Sequence, residues 1–262
     1  MTHRRSLSRC RHAASAVLLA VVMTGCTAVY VSSAANAPLL ARRAEGHVRG
    51  VLGTNGGDLQ AAYALSDDVA LTAAASGALG GDRYRHAYGE LGFGRYRAAG
   101  QRRMSLSGGG GYGGFRLCGA YPVGPIGAAF TLGDPFSTDV CAAGHLYRAF
   151  AQAAVARVGD VFEVGFVGRL TLDHMRNLRG TYRDDFWTSG PRLRSLPSAA
   201  TVANLEPLGF VRLGVRAVKL ELQVGLRLPL TSITDGAPVS LPFHVGLGVH
   251  VPFGGAAGGN SE

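Results

Sequence analysis

The sequence is poor in the residues and spacings that mark several common classes of protein. It has a single lysine, Lys219, and its arginines form no compact run beyond pairs such as Arg42-Arg43, so we expect no nucleic-acid partner. Its four cysteines form no CxxC motif and no Cys/His spacing of a metal site, so we expect no metal and no cofactor. The glycine run at 108–114 lacks the Lys-Ser/Thr pair of a phosphate-binding loop.

Glycine, in contrast, is abundant, with 39 residues in the chain. Because glycine is costly inside helices, this content argues against a helical protein. It suits a strongly twisted sheet in which strands cross closely.

The first 25 residues have the pattern of an export signal. Four arginines precede the apolar stretch "AASAVLLAVVMTG", which is too short for a comfortable transmembrane helix. Residues 23–26 resemble the bacterial lipobox, and by that resemblance Cys26 becomes the first mature residue and carries a lipid such as palmitate. The alternative is ordinary cleavage near Ala35 or Ala37. Both interpretations place the mature protein outside the cytoplasm, with 22 basic and 17 acidic residues and a net charge of +5.

Two further cysteines remain in the mature chain. Cys118 and Cys141 both lie in a segment of loop-like composition. Because exported proteins fold under oxidising conditions, we expect one disulfide between them that ties a long loop.

Apolar and polar residues alternate with a period of two in three segments, 161–174, 216–230 and 242–253. This period is that of a β-strand with one apolar and one polar face. Seven weaker segments complete a set of ten strands, with eight or twelve as alternatives: 45–53, 58–65, 69–79, 85–97, 102–117, 145–157 and 205–215. The alanine-rich segment 145–157 also suits a helix, but the Gly-Asp turn before its neighbour favours a hairpin.

The connections between these ten strands fall into two classes. One set is very short, and the other includes the long segments 118–144 and 175–204. Short turns at one end and long loops at the other are typical of an antiparallel up-and-down transmembrane β-barrel. We therefore predict a barrel over 45–253, preceded by a linker on the periplasmic side at 26–44 and followed by a tail at 254–262. The long loops are the expected contact points for an extracellular ligand.

The alternation leaves open which face of the strands points inward. In a membrane barrel the aliphatic face contacts lipid, and the opposite face lines the lumen. The predicted lumen-facing polar residues are Glu90, Glu163, Arg169, Lys219, Glu221, Gln223, Arg227, His244 and His250. In the alternative, a soluble periplasmic barrel tethered by Cys26, the aliphatic faces of 218–230 and 243–253 meet in one core around an apolar ligand.

Few residues suggest catalysis. Asp173-His174 at a strand end and Asp184-Asp185 in the next loop are the weak candidates for an Asp/His site that activates water. Solvated rim residues are the more common explanation of such a pattern. The aromatic residues Tyr88, Tyr96, Tyr112, Tyr147, Phe150 and Phe243 are expected at the membrane interfaces.

The lipobox at 23–26 and the stretch at 36–79, with "QAAYALSDDVAL" at its centre, resemble small bacterial outer-membrane β-barrel proteins that carry a lipoprotein-type signal. The final strand ends on Phe253, similar to the aromatic-terminated strand recognised by the barrel insertion machinery, although a "GGAAGGNSE" tail follows. The resemblance implies an outer-membrane location and brings no activity with it. We expect a lipid-anchored, non-catalytic barrel with a structural, surface-binding or narrow solute-passage role; an outer-membrane hydrolase is the alternative.

Overall fold

The computed structural model describes residues 35–53, 56–79, 84–118, 141–183, 193–230 and 243–254. These residues form an all-β structure of twelve strands. The strands are β1 (Gly46–Gly53), β2 (Gly56–Ala64), β3 (Val69–Leu79), β4 (Tyr84–Ala99), β5 (Arg102–Cys118), β6 (Cys141–Val158), β7 (Phe162–Arg183), β8 (Leu193–Ser195), β9 (Ala199–Val215), β10 (Val218–Leu226), β11 (Leu228–Pro229) and β12 (Phe243–Phe253).

Ten of these strands close into one antiparallel barrel. Strands β1 to β7 pair in chain order, β7 pairs with β9, and β9 pairs with β10. The barrel closes because β12 pairs with both β10 and β1. The very short strands β8 and β11 only extend the edges of β7 and β9. The predicted closed up-and-down barrel of ten strands is confirmed for the described residues.

The strands agree most closely with the predicted segments at β3, which has the predicted bounds, and at β1, β5 and β12, which differ by one residue each. The alanine-rich segment 145–157 lies within β6, which pairs along its length with β5 and β7. Hydrogen bonding on both sides overrides the helix propensity of alanine there. Strand β6 starts at residue 141 and β7 runs to 183, so both strands extend into the segments expected to be long loops.

The connections sort between the two ends of the barrel. At one end, here called the short-turn end, the connections are 65–68, 100–101, 159–161 and 216–217. At the other, the long-loop end, the first two connections are also short, at 54–55 and 80–83, and the three longest connections of the barrel follow, at 119–140, 184–198 and 227–242. Ser66 stabilises one short turn, because its Oγ accepts a hydrogen bond from the backbone N–H of Val69 at 3.1 Å. The first residue of β1, Gly46, pairs with the last residue of β12, Phe253, at the short-turn end.

A bulge in β7 changes the side-chain alternation near the long-loop end. The register shifts between Ala143 and His145, and Asn177 in β7 has a φ of 52°. Asparagine is one of the few residues that adopt this left-handed backbone readily. The bulge lets Met175 and Leu178, three residues apart, both point inward.

The distribution of residues is the reverse of that in a soluble protein. Among the residues that the structure describes, the five largest fully buried side chains are those of Arg49, Arg169, Arg212, Gln60 and Gln223. The large aliphatic residues lie outside, with Leu220 66 % and Leu247 53 % exposed. The soluble alternative required the aliphatic faces of 218–230 and 243–253 to meet inside, and the structure places them on the outer surface instead.

Residues 35–41, here called the inner segment, lie inside the barrel. Asn36 is buried, and its side-chain amide donates a hydrogen bond to the carbonyl of Ala61 in β2 at 2.8 Å. Gln152 of β6 donates to the carbonyl of Asn36. The sequence predicted a linker over 26–44; within its described part, residues 35–41 pack inside the barrel, whereas 42–44 are exposed. The small residues of the inner segment fit a lumen lined by alanines of β6.

Candidate functional site in the barrel lumen

Ion pairs between strands that are distant in sequence cross the lumen. Near the short-turn end, Arg49 of β1 donates to Glu221 of β10 at 2.9 Å, and Glu221 also accepts from Arg212 of β9 at 2.5 Å. Arg212 binds Glu163 of β7 at 3.1 Å, and Lys219 of β10 binds the other oxygen of Glu163 at 2.6 Å. The five side chains form one buried chain of alternating charge, which compensates the desolvation of each member.

A second ion pair lies in the middle of the lumen. Arg169 of β7 donates to Glu90 of β4 at 2.7 Å, and the hydroxyl of Tyr88 donates to the same carboxylate at 3.0 Å. The guanidinium carbon of Arg169 lies 4.4 Å from the centre of the Phe150 ring, a cation–π distance. This layer therefore combines charge neutralisation with aromatic packing.

A third group lies towards the long-loop end. Asp173 of β7 accepts two hydrogen bonds from Arg148 of β6, at 2.6 and 2.9 Å, and a third from Arg227 at 2.6 Å. Glu206 of β9 lies 3.6 Å from Arg227. Such bidentate arginine–carboxylate contacts are among the strongest hydrogen bonds between side chains.

The candidate pair Asp173-His174 does not form a site. Asp173 points into the lumen and is buried, whereas His174 is exposed on the outer surface and hydrogen-bonds to Thr201 at 2.8 Å. Successive residues of a strand point to opposite faces, so the two side chains cannot converge on one substrate. The other candidates, Asp184 and Asp185, lie outside the described residues.

The polar residues that were predicted to face the lumen all lie on the inner face of the barrel. Those that are buried are Glu90, Glu163, Arg169, Lys219, Glu221, Gln223, Arg227 and His250. His244 is half-buried on the same face of β12. Arg49, Arg148 and Arg212 are also buried in the lumen, where they were not predicted. The period of two in β1, β6 and β9 was the available signal, but the many alanines and glycines of these strands obscured it.

Two of the aromatic residues predicted for the membrane interfaces lie on the outer surface. Tyr112 and Tyr147 are exposed near the long-loop end, and the Tyr112 hydroxyl contacts His145 at 2.8 Å. Tyr88, Tyr96 and Phe150 instead point inward, which corrects their prediction. Tyr88 fits there because its ring lies over Gly111, where any side chain would collide with it. Of Phe243 only the backbone is described.

Apolar groups occupy the lumen above and below the charged layers. At the long-loop end, inward residues such as Phe115, Leu146 and Met175 form one cluster. At the short-turn end, Leu40 of the inner segment packs with Tyr96, and Ala37 packs with the cluster that includes Phe210. The inner segment is also held by Arg49, which donates to the carbonyl of Ala35 at 2.8 Å. The described side chains thus fill much of the lumen.

Two short turns carry exposed ion pairs that face solvent. Arg95 donates to Asp68 at 2.5 Å, and this hydrogen bond lowers the pKa of the Asp68 carboxyl below its ordinary value. Arg216 donates to Asp160 at 3.0 Å, which lowers the pKa of Asp160 in the same way. Exposed pairs of this kind contribute little to stability, so they serve mainly to order the turns.

The backbone register of β5 and β6 pairs Cys118 with Cys141 directly across the two strands. The predicted disulfide between them stays a prediction, and the predicted lipid attachment at Cys26 lies outside the described residues. Within the described ranges, no group of three or more His, Cys, Asp or Glu side chains is placed to hold a metal ion. No helix in the same ranges is long and apolar enough to cross a membrane.

No protein-family model matches this sequence, and no curated protein matches it. Several solved structures are distantly similar, among them two outer-membrane proteins. One is the N-terminal β-barrel domain of Pseudomonas aeruginosa OprF, with a TM-score of 0.32, 11 % identity, and coverage of 81 % of this chain and 99 % of that one. The other is in-vitro folded OmpT, an outer membrane protein of Vibrio cholerae, with a TM-score of 0.20, 10 % identity, and coverage of 83 % and 100 %.

Proposed function

We propose that this chain is an integral barrel of the bacterial outer membrane with a closed lumen and a structural or surface-binding role. The observation that carries the proposal is the reversed distribution of residues. Arg49, Arg169 and Arg212 are completely buried, whereas most of the large apolar side chains of the strands are exposed on the outside. In water such a surface would be an extensive exposed apolar patch, which soluble monomers rarely tolerate. In lipid it is the expected outer face.

The height of the apolar surface supports the same proposal. On β7 the outward residues from Phe162 to Leu172 are mostly large and apolar, and Arg176 follows beyond His174. Ten residue steps of ~3.3 Å on a strand tilted by ~40° give a band about 25 Å high. This is about the height of the apolar band of outer-membrane barrels.

The proposed orientation places the short-turn end in the periplasm. It rests on the predicted export signal and on the usual arrangement of short periplasmic turns and longer extracellular loops. In this orientation a lipid on Cys26 anchors the mature N-terminus, and the β5–β6 and β7–β9 connections extend outside the cell. These connections are the proposed surface for an extracellular ligand.

A closed lumen agrees better with a structural or surface role than with solute passage. Ion pairs cross the lumen in three layers, and the inner segment occupies its short-turn half. A barrel of about this size has an interior that side chains can fill. The hydrolase alternative loses support, because Asp173 is held by two arginines and His174 faces outward.

The first experiment is membrane fractionation, followed by gel electrophoresis of boiled and unboiled samples. A folded membrane barrel will appear in the outer-membrane fraction and will change its migration on boiling. A Cys26→Ser variant should lose incorporation of labelled palmitate but stay in the membrane, because its strands still span it. If Cys26→Ser is instead released as a folded soluble protein, the membrane proposal is wrong.

Closure of the lumen is tested by conductance in planar lipid bilayers. The intact protein should give no steady channel current, because ion pairs cross its lumen in three layers. Steady conductance of the intact protein would contradict the closed lumen while leaving the membrane location intact.

A further inference from the structure

The outer surface of the barrel carries a group of arginines at the long-loop end, here called the arginine cluster. Its members are Arg85 of β4, Arg116 of β5, and Arg176 and Arg179 of β7, and all four are exposed. Their positions in the alternation place them on the outer face, because the bulge at Asn177 turns Arg179 to the same side as Arg176. None of the roles considered above uses these side chains.

The register of the sheet places members of the arginine cluster side by side. Arg85 lies directly opposite Arg116 in the pairing of β4 with β5. Arg116 and Arg179 lie on either side of Ala143 of β6, which pairs with both. Because neighbouring strands are ~4.8 Å apart, the backbones of Arg116 and Arg179 are separated by about 10 Å. Their long side chains can converge on one anion across this gap, since the side chain between them is only a methyl group.

The arginine cluster has no acidic partner in the part of the chain that the structure describes. Within the described ranges, no ion pair and no side-chain hydrogen bond engages its four guanidinium groups. The described carboxylates that are not buried all lie at the short-turn end, and they are Glu45, Asp67, Asp68 and Asp160. Like charges directly opposite each other on a sheet are destabilising, so the pair of Arg85 and Arg116 favours the approach of an anion.

The arginine cluster lies just beyond the long-loop edge of the apolar surface. Tyr112 and Tyr147 mark that edge, with ring centres 5.0 Å apart. His145 stacks on Tyr112 and lies directly opposite Arg176. Arg116 is four residues beyond Tyr112, which is about 10 Å along the barrel axis for a tilt of ~40°. Exposed tyrosines are typical of the membrane interface, and the polar layer of a bilayer extends about 5–7 Å beyond its hydrocarbon core, so the long arginine side chains can reach lipid headgroups.

A terminal phosphate is the headgroup that this arrangement fits best. A guanidinium binds phosphate through two parallel N–H···O bonds. A terminal phosphate offers three acceptor oxygens, so it can engage arginines from several strands at once, whereas a carboxylate offers two. Towards the middle of the barrel the outer face continues with exposed Leu91 on β4 and Leu172 on β7. Acyl chains attached to the phosphate can therefore pack against the same face.

We propose that the arginine cluster binds an outer-leaflet lipid that carries a terminal phosphate. The phosphate lies among Arg85, Arg116 and Arg179, and the acyl chains lie on the apolar surface beside them. This inference rests on the proposed membrane location and orientation, and it names the class of lipid that the long-loop end selects.

The test is native mass spectrometry of the full-length mature protein in a neutral detergent, titrated with phosphatidic acid as the probe. Phosphatidic acid has a terminal phosphate. Phosphatidylglycerol and phosphatidylcholine with the same acyl chains carry an esterified phosphate, the first anionic and the second zwitterionic. We expect phosphatidic acid to bind about tenfold more tightly than phosphatidylcholine, with phosphatidylglycerol between them, because additional charge-assisted hydrogen bonds account for a ratio of that size.

The decisive variant combines Arg85→Gln with Arg116→Gln and so removes the directly opposed pair. One arginine near an anionic lipid accounts for about a fivefold change in binding, so the double variant should bind phosphatidic acid about 25-fold more weakly. The matched control combines Arg97→Gln with Arg102→Gln, which removes two exposed arginines from the outer face of the same two strands at the short-turn end. It should change binding less than twofold, because the carboxylates of that end repel phosphate.

A second variant keeps every arginine in place. Gly114 lies on the outer face of β5, two residues from Arg116, and the nearest atom to a Cβ added there is the carbonyl oxygen of Gly144 at 3.8 Å. Gly114→Glu therefore fits without displacing its neighbours and places a carboxylate beside the arginine cluster. It should weaken the binding of phosphatidic acid at least fivefold by charge repulsion.

The boiled and unboiled gel verifies that each protein is folded before its lipid binding is compared. Three results would overturn the proposal while the membrane location stands. They are equal binding of phosphatidic acid and phosphatidylcholine, an equal loss of binding in the control variant, and displacement of phosphatidic acid by inorganic phosphate, which would assign the arginine cluster to a free anion. Absence of the unchanged protein from the outer-membrane fraction would instead overturn the membrane location, and this inference with it.

Discussion

An arginine placed on the outer surface tests whether that surface contacts lipid. Leu222 lies in the middle of β10, with 45 % of its surface exposed on the outside of the barrel. Val218 at the start of the same strand is exposed to nearly the same extent, 43 %. Leu222→Arg and Val218→Arg therefore form a matched pair that differs mainly in depth.

The depth sets the expected magnitude. Leu222 is four residues from Val218, which is about 13 Å along the strand and about 10 Å along the barrel axis for a tilt of ~40°. This places Leu222 close to the middle of an apolar band about 25 Å high, where arginine costs roughly 2–4 kcal/mol of folding free energy. Val218 lies near the interface, where the cost falls to about 0–1 kcal/mol.

The free energy of unfolding is measured by urea titration of the two variants and the unchanged protein in phospholipid vesicles. The gel shift between folded and unfolded forms serves as the readout. If the outer surface faced water, both substitutions would change stability by less than about 0.5 kcal/mol. Equal small effects at both positions would refute the lipid contact, and so would complete loss of folding from Leu222→Arg alone, as expected for an inward leucine.

The remaining predictions concern the lumen, the cysteines and one turn. Glu221→Gln removes the carboxylate shared by two buried arginines, so the free energy of unfolding in urea should fall by about 3–5 kcal/mol; a loss below about 1 kcal/mol would show that water compensates the arginines. Cys118 and Cys141 should resist alkylation in the folded protein until a reductant is added, and intact-mass analysis of two free thiols would contradict the disulfide. The pKa of Asp68, followed by NMR, should lie below its ordinary value because of its hydrogen bond from Arg95, and Arg95→Gln should raise it. Since the folded pKa is the lower one, the small contribution of Asp68 to stability is present above the unfolded pKa and is lost as the pH falls through the folded pKa.

Much of the fold follows from local patterns. The predicted strand at 69–79 has the observed bounds, and the alternation predicted over 216–230 continues to Arg227 in the structure. Beyond Arg227, Pro229 and Leu230 are both exposed, so the alternation ends there. Proline cannot donate to the ladder of hydrogen bonds, and the strand is interrupted where one of its edges loses a partner.

The contacts between side chains in the lumen were harder to predict from the sequence. Asp173 and His174 are adjacent in sequence, and only their alternation in β7 separates them onto opposite faces. The partners of Asp173 come from β6 and from the segment after β10, and their positions depend on the register of several strand pairs. The position of the inner segment in the lumen could not be predicted from its sequence, because "ANAPLLA" has neither strand alternation nor unusual charge.

The alternation of apolar and polar residues is enough to predict long two-faced strands, since a period of two depends only on the geometry of a single strand. Which face is inside follows from the closed barrel, because alternation is the same whichever side contacts solvent. The closed barrel also brings the charges of distant strands together. Arg49 and Glu221 are 172 residues apart, and they form an ion pair only because the barrel closes through β12 between β1 and β10.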